Sequence, residues 1–432
     1  MSLLLKSALV FNSPGGLLEK KDILIKGGKI FKIAPVLEKK EHENSQVIDA
    51  WGKIVAPGLI DLHVHLRQPG EEGKETIKSG CAAAAAGGFT SIACMPNTRP
   101  VTDSKMMVER VKEIARREGV VNVYPVGAIT KGSLGEELAE MGLMVEGGIK
   151  AVSDDGRPVA DASMMGLAME YAKMFNLPLI SHCEDPSLAL GGVMNQGLTS
   201  TRLGLRGIPD TAEAVMVARD IILAQASGSH LHIAHVSCAR SVELIEWAKS
   251  RGIKVTAEVT PHHLVLTEEE MEEFDADYKM NPPLRSKEDV EALRKALKEG
   301  VIDIIATDHA PHSREDKGVE FERAPFGVVG LETALPLILT ELVHPGHIKL
   351  EEALASLTIK PAEILGLDAG VIREGAEADL TIVDLDKEDK VDREKFYSRG
   401  KNTPFQGWKV KGGAYMTIVK GKIVMREGKV YF

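Results

Sequence analysis

Between about residue 54 and residue 343, short apolar runs alternate with longer segments whose apolar positions recur every three to four residues. The short runs are Ile54–His65, Phe89–Cys94, Val121–Ile129, Gly148–Ser153, Leu177–Cys183, Leu231–Val236, Ile253–Val259 and Ile302–Asp308. Their length and β-branched content predict strands. Lys74–Ala86, Ser104–Glu118, Ala160–Asn176, Thr211–Ser227 and Lys287–Lys298 carry the helical period or good helix formers. Eight strands alternating with helices over roughly 290 residues is the pattern of a (β/α)8 barrel, a TIM barrel of α/β class. A doubly wound sheet could hold as many strands, but it gathers its ligand at one switch point and not on many strand ends.

The two ends of the chain have a different rhythm. Leu3–Val10, Asp22–Ile25 and Lys29–Ile33 are short strand patterns around Gly-Gly turns, and Asp379–Val383, Tyr415–Val419 and Lys422–Met425 repeat the style. Ile25-Lys26-Gly27-Gly28-Lys29-Ile30 near one end matches Val419-Lys420-Gly421-Lys422-Ile423 near the other. The simplest organisation is a small β-sandwich domain formed by both termini, residues 1–55 with 368–432, flanking a barrel over 56–367.

Composition narrows the partners. Apolar residues make up 44% of the 432, enough for a sizeable core. Lys and Arg number 53 against 63 Asp and Glu, giving a net charge of −10, with 4% aromatic residues and no basic block. A nucleic-acid surface needs clustered positive charge, so none is expected. The four cysteines, Cys81, Cys94, Cys183 and Cys238, include no Cys-x-x-Cys pair, which argues against a disulfide framework or a structural zinc site. The first dozen residues lack the parts of a secretion signal, and no apolar run of about 18 residues occurs. A cytoplasmic chain with no membrane span is the expectation.

The strongest chemical signal is Asp61-Leu62-His63-Val64-His65. A strand repeats every two residues, so Asp61, His63 and His65 share one face, and Ile60, Leu62 and Val64 share the face toward the outer helices. An isolated His-x-His is more often a pair of satisfied core histidines, and the rest of the chain decides against that here. His182, His235 and Asp308 close later strand patterns, and Ser153-Asp154-Asp155-Gly156 closes the fourth. Active sites of this barrel lie at the C-terminal ends of its strands. Four His and two Asp at one mouth form a nitrogen and oxygen site for a borderline divalent ion such as Zn2+. Six ligands exceed one tetrahedral ion and suit a pair about 3.5–4 Å apart. Neighbours on a strand point opposite ways, so Asp154 and Asp155 cannot be told apart by pattern.

These strings, together with Met95-Pro96-Asn97-Thr98, Met280-Asn281-Pro282-Pro283-Leu284-Arg285, Ala306-Thr307-Asp308-His309-Ala310-Pro311-His312 and Ala324-Pro325-Phe326-Gly327, resemble the amidohydrolase superfamily, and closely the bacterial type I dihydroorotases, over nearly the whole chain. The resemblance implies one Zn2+ on His63, His65 and Asp308 and a second on His182 and His235. Asp155 would bridge them where many relatives use a carboxylated lysine; Lys150 is read as outer or helix-facing. It further implies that Arg67, Asn97 and His312 hold a substrate carboxylate and that Asn281, Phe326 and Gly327 line the ring, with His65 also near the substrate. Asp308 would take a proton from the nucleophilic water and return it to the leaving amide nitrogen. The implied reaction is reversible closure of N-carbamoyl-L-aspartate to L-dihydroorotate in pyrimidine biosynthesis. The alternatives are a hydantoinase, dihydropyrimidinase or allantoinase, or a non-catalytic scaffold for aspartate transcarbamoylase. The resemblance leaves room for a homodimer and for an aspartate transcarbamoylase partner. The chain departs from the pattern at Gln68, where relatives commonly have Asp, and over Glu71-Glu72-Gly73-Lys74; neither touches an expected ligand.

Overall fold

Gly58 divides the first predicted strand in two. Ile54–Pro57 and Leu59–Val64 are separate strands. The computed structural model, which describes residues 2–12, 17–271 and 274–432, places them in different sheets. A Cβ at Gly58 would lie 2.0 Å from Thr90 Oγ1, so only glycine fits there. The Gly58 N–H donates to the Asp379 carbonyl at 2.8 Å, and the Leu59 N–H donates to Thr381 Oγ1 at 3.2 Å. The reading of Ile54–His65 as one strand is corrected: its uniform hydrophobicity hides a change of sheet.

From Leu59 the chain lays down parallel strands separated by helices. Leu59–Val64, Phe89–Cys94 and Asn122–Pro125 form one parallel sheet. Val152–Ser153, Leu179–Ser181, Leu231–Ile233, Val255–Val259 and Ile304–Ile305 form a second. Single parallel bridges, Gly127 to Val152 and Val64 to His309, join the open edges of the two. The pairings therefore run round a cycle of eight strands in chain order.

The predicted helices form with shifts of one to three residues at most ends: Ile77–Gly87, Lys105–Glu118, Ala162–Met174, Asp210–Ser227 and Lys287–Glu299. Thr76 and Ser286 open their helices with capping boxes that satisfy the first free N–H groups. A further helix, Ala239–Ser250, follows Leu231–Ile233.

Two apolar clusters sandwich the strands. The larger holds the helix-facing residues, among them Leu59, Val64, Phe89, Leu179, Leu231 and Ile305. The other gathers Ile60 and Leu62 with Ala93, Val126, Ala151, Ile180, Ala234 and Ile304, closed by Ala362 and Ile364. Ile60, Leu62 and Val64 therefore do not share one face, as a strict alternation predicts. The register is irregular between Asp61 and Val64, and Val64 falls on the other side.

Both termini enter one nine-stranded sheet: Ser2–Asn12, Leu17–Lys26, Lys29–Ala34, Gln46–Asp49, Ile54–Pro57, Leu380–Lys390, Lys409–Val419, Lys422–Arg426 and Lys429–Val430. Ser2–Asn12 shifts register between Leu5 and Ala8 and pairs first with Gln46–Asp49 and then with Ile54–Pro57. Leu3, Ile23, Val55, Ile382 and Ile418 share one core. The sheet is tied to the helix that follows Leu59–Val64: Thr417 and Thr381 hydroxyls donate to the Ala85 and Gly88 carbonyls at 2.7 and 2.6 Å. Replacing Gly58 by Ala forces a side chain into Thr90, so a loss of about 1–3 kcal/mol is expected, read as a lowered midpoint of thermal unfolding.

Candidate metal centre and active site

Five strand ends deliver the six predicted ligands to one buried point. Asp155 lies at its centre. Its Oδ1 is 3.3 Å from His63 Nε2, 3.6 Å from His182 Nδ1 and 3.5 Å from His235 Nε2, and its Oδ2 is 3.4 Å from His65 Nε2. Asp308 Oδ1 lies 3.1 Å from His65 Nε2 and 3.5 Å from His63 Nε2. Two ligand sets result, His63 with His65 and Asp155, and Asp155 with His182 and His235, each compact enough to hold an ion and sharing the one carboxylate. His235 and Asp308 reach their places from left-handed backbone, at φ 32° and 46°. Such conformations are costly for residues other than glycine and persist where their surroundings impose them.

The choice left open between two neighbouring aspartates is made by the loop before them. Asp154 turns away and accepts from the Ile129 N–H at 2.8 Å and from the Thr130 N–H and hydroxyl. Asp155 is left to face the histidines. Lys150 is half-buried and belongs to neither ligand set.

A second layer fixes which nitrogen faces inward. The His63 Nδ1–H donates to Glu258 Oε1 at 2.6 Å and the His65 Nδ1–H to Asn97 Oδ1 at 2.9 Å, so each Nε2 presents its lone pair. Glu258 also accepts from the His235 backbone N–H at 3.2 Å and from His232 Nε2 at 3.1 Å. Asp61 shares the sequence pattern of the ligands but serves as a brace. It accepts from the His63 N–H, the Thr307 N–H and, at 2.6 Å, the Thr307 hydroxyl, which ties the strand of His63 to the strand of Asp308. Burial pushes the Asp61 carboxyl up to about 7 despite those donors.

The electrostatics call for cations. Burial would raise Asp155 and Asp308, yet the neighbouring imidazoles, His63 foremost, hold both below the ordinary carboxylate range. Burial would lower His63, but Asp155, Glu258 and Asp308 outweigh it and hold the ring well above its usual value. His182 Nδ1 and His235 Nε2 face each other at 2.9 Å, two ring nitrogens that need a proton or a cation between them. His63 Nε2 and Asp155 Oδ1 are buried with no hydrogen-bond partner among the described residues. A carboxylate and imidazole donor set of this kind fits divalent metal ions.

Of the predicted substrate contacts, Arg67 and Asn97 adjoin this centre. Arg67, also in left-handed backbone at φ 58°, donates from Nε to the Pro311 carbonyl at 3.4 Å. Among the described residues its two terminal nitrogens take no hydrogen-bond partner. Asn97 orients His65 through its carbonyl oxygen and keeps its amide nitrogen free to donate. His312 donates from Nε2 to the Phe326 carbonyl at 2.8 Å, and burial pushes its ring down to about 2. Asn281 Oδ1 and His312 Nδ1 are buried without partners among the described residues. Asn281 and Phe326 line a cleft of about 510 Å3 with Glu184, Ile208, Lys279 and Ala324. A Cβ on Gly327, at φ 131°, would lie 2.7 Å from Ala310 Cβ.

The loop carrying His312, Phe326 and Gly327 is clasped by two lysines that the sequence did not single out. Lys279 Nζ donates to the Phe321 and Glu322 carbonyls at 2.8 and 3.0 Å, and Lys317 Nζ to the Ala276 and Lys279 carbonyls at 2.7 and 3.1 Å. Burial lowers the two ammonium groups to about 8 and about 7. Glu258 was missed as well. Its only signal is that Thr256 and Glu258 occupy alternate positions of an otherwise apolar strand, a polar stripe where apolar residues are expected.

The site defines a class, the amidohydrolases: the Amidohydrolase family model matches residues 210–425, and the Dihydro-orotase-like model matches residues 52–241. The chain is 53% identical over 430 residues to the dihydroorotase of Pelotomaculum thermopropionicum, covering 99% of each. It is 52% identical over 431 residues to that of Caldanaerobacter subterraneus subsp. tengcongensis, covering 100% of this chain and 99% of its relative. The L-hydantoinase (dihydropyrimidinase) from Arthrobacter aurescens superposes with a TM-score of 0.90 at 29% identity, covering 100% of this chain and 97% of the other. The chain belongs to the dihydroorotase family, cyclic amidohydrolases. No helix among the described residues is long and apolar enough to cross a membrane. Asp155→Ala is expected to bind fewer than two metal ions per chain, whereas Lys150→Ala keeps the wild-type count, measured by elemental analysis after dialysis. A loss of metal from Lys150→Ala that bicarbonate restores would assign the bridge to a carboxylated lysine.

Proposed function

We propose that this chain catalyses the reversible closure of N-carbamoyl-L-aspartate to L-dihydroorotate with two Zn2+ ions. The carrying observation is the pair of ligand sets meeting at Asp155, with the free guanidinium end of Arg67 beside them. On this reading the eight-strand cycle is a (β/α)8 barrel over residues 56–367, and residues 1–55 and 368–432 form a β-sandwich domain. His63, His65 and Asp308 hold one ion, His182 and His235 the other, and Asp155 bridges. When bound, such a pair polarises an amide carbonyl and lowers the pKa of water to near neutrality.

The chain's own groups do the rest. Arg67, Asn97 and His312 hold the ring carboxylate, the guanidinium fork supplying paired donors. Binding that anion counters the burial that keeps the His312 ring neutral. Asn281, Phe326 and Gly327 line the ring, and the absence of a Gly327 side chain keeps the wall flat. In hydrolysis Asp308, held ionised by its imidazole neighbours, takes a proton from the attacking water. It delivers that proton to the departing amide nitrogen as the carbon–nitrogen bond breaks; in closure the steps reverse. On the same reading the chain works in the cytoplasm, with room for a homodimer and for an aspartate transcarbamoylase partner.

Arg67→Met is expected to lose about 2–5 kcal/mol of transition-state binding for dihydroorotate, as a fall in kcat/KM. Slow hydrolysis of a dihydropyrimidine lacking the ring carboxylate should hardly change. Equal losses on both substrates would assign Arg67 to the fold or the metals.

Asp308→Asn, reloaded with Zn2+, is expected to lose at least about a hundredfold in kcat in both directions, the usual scale for an acid–base group. Turnover close to wild type in a metal-replete variant would remove the proton shuttle from Asp308.

A further inference from the structure

Val255–Val259 lays a polar line along the interior face of the strand cycle. The cluster around Ile60 and Leu62 draws side chains from the other strands or their ends, and Val255–Val259 contributes none. Val255, Ala257 and Val259 pack with the helices, so Thr256 and Glu258 take the alternate positions. There they join His232 and His230 in a continuous chain. His230 Nε2 is 2.9 Å from Thr256 Oγ1, and Thr256 Oγ1 is 2.9 Å from His232 Nδ1. His232 Nε2 is 3.1 Å from Glu258 Oε2, and Glu258 Oε1 is 2.6 Å from His63 Nδ1.

The direction of the chain follows from its acceptor. An ionised carboxylate only accepts, so His232 donates from Nε2. In the neutral ring Nδ1 then accepts, the Thr256 hydroxyl donates to it, and that oxygen accepts the His230 Nε2–H. One assignment satisfies every contact, and every donor points toward Glu258. Buried polar groups in an apolar interior are tolerated when fully paired, and pairing of this kind strengthens along a chain. At its far end His230 and Thr256 line a cavity of about 380 Å3 with Leu177, Ile253 and Lys254, at the opposite end of the strands from the ligands.

We propose that Thr256, His232 and His230 are positioning residues for the metal centre. They fix the orientation of Glu258, which makes His63 a stronger donor, and so tighten the ion held by His63, His65 and Asp155. The ion at His182 and His235 gains little, because Glu258 touches only the His235 backbone N–H. The inference rests on the reading that His63 binds metal.

The test uses the full chain loaded with Zn2+ and challenged with a chromophoric chelator, following release of each ion over time, with thermal unfolding recorded in parallel. Thr256→Val is expected to loosen one ion about threefold to tenfold, the worth of one neutral hydrogen bond. The other ion and the unfolding midpoint should stay near wild type. Thr256→Ser, which keeps the hydroxyl, should restore the wild-type trace. His230→Phe, at the cavity end, should loosen the same ion by a smaller factor. Unchanged release in both Thr256→Val and His230→Phe would overturn the proposal, as would equal loosening of both ions with a lowered midpoint. A wild-type chain that holds no ion would instead overturn the metal reading itself.

Discussion

Three carboxylates, Asp155, Asp308 and Glu258, are buried within reach of the same imidazoles, and much of the molecule answers to that placement. Taking an ionised group out of water costs several kcal/mol even after relaxation, so each must be matched by opposite charge or by fixed donors. The matching is spread over the whole strand cycle. Asp61 joins the first strand to the eighth through Thr307, Glu258 joins the first to the sixth and seventh, and Asp154 secures the loop that frees Asp155. Left-handed backbone at His235 and Asp308 is accepted because these contacts impose it.

Asp155 also shows where pattern ends and packing begins. The candidate ligands His63, His65, His182, His235 and Asp308 were legible because each stands at or near the end of an apolar run, and the structure gathers them around Asp155. The place of Asp155 was not, since a two-residue period cannot choose between Asp154 and Asp155; the choice needs the Thr130 loop, which lies 24 residues upstream of Asp154. Glu258 was hidden for a related reason. A single acid in a short apolar strand looks like a surface position until both faces are known to be covered. The helices were read well from periodicity, but the break at Gly58 was not, because both halves of Ile54–His65 are equally apolar. Ile60 and Leu62 were assigned to the helix-facing side, where Val64 alone of the three lies, because the first strand departs from strict alternation between Asp61 and Val64.

The proposed substrate contacts are built differently from the candidate metal ligands. The ligands stand on or just beyond strands, whereas His312, Phe326 and Gly327 lie on a long connection held down by carbonyl contacts to Lys279, Lys317 and Asn402. A hydantoinase can therefore share the frame at a TM-score of 0.90 with 29% identity. The frame fixes where the imidazoles and carboxylates meet, and the connections decide what surrounds them.

The single residue between Pro57 and Leu59 has a consequence for how the polypeptide is made. Ile54–Pro57 finds its antiparallel neighbour only in Leu380–Lys390, and Leu59–Val64 finds its second neighbour only near His309. A ribosome supplies about 5–20 residues per second, N-terminal segments first. His63 and His65 thus emerge long before Asp308, and the strand preceding them waits longer still for its neighbour. Neither unit can be completed early, and vectorial synthesis leaves an apolar edge uncovered for most of translation. An unpaired apolar edge of that kind invites pairing with other chains until its own neighbour is made.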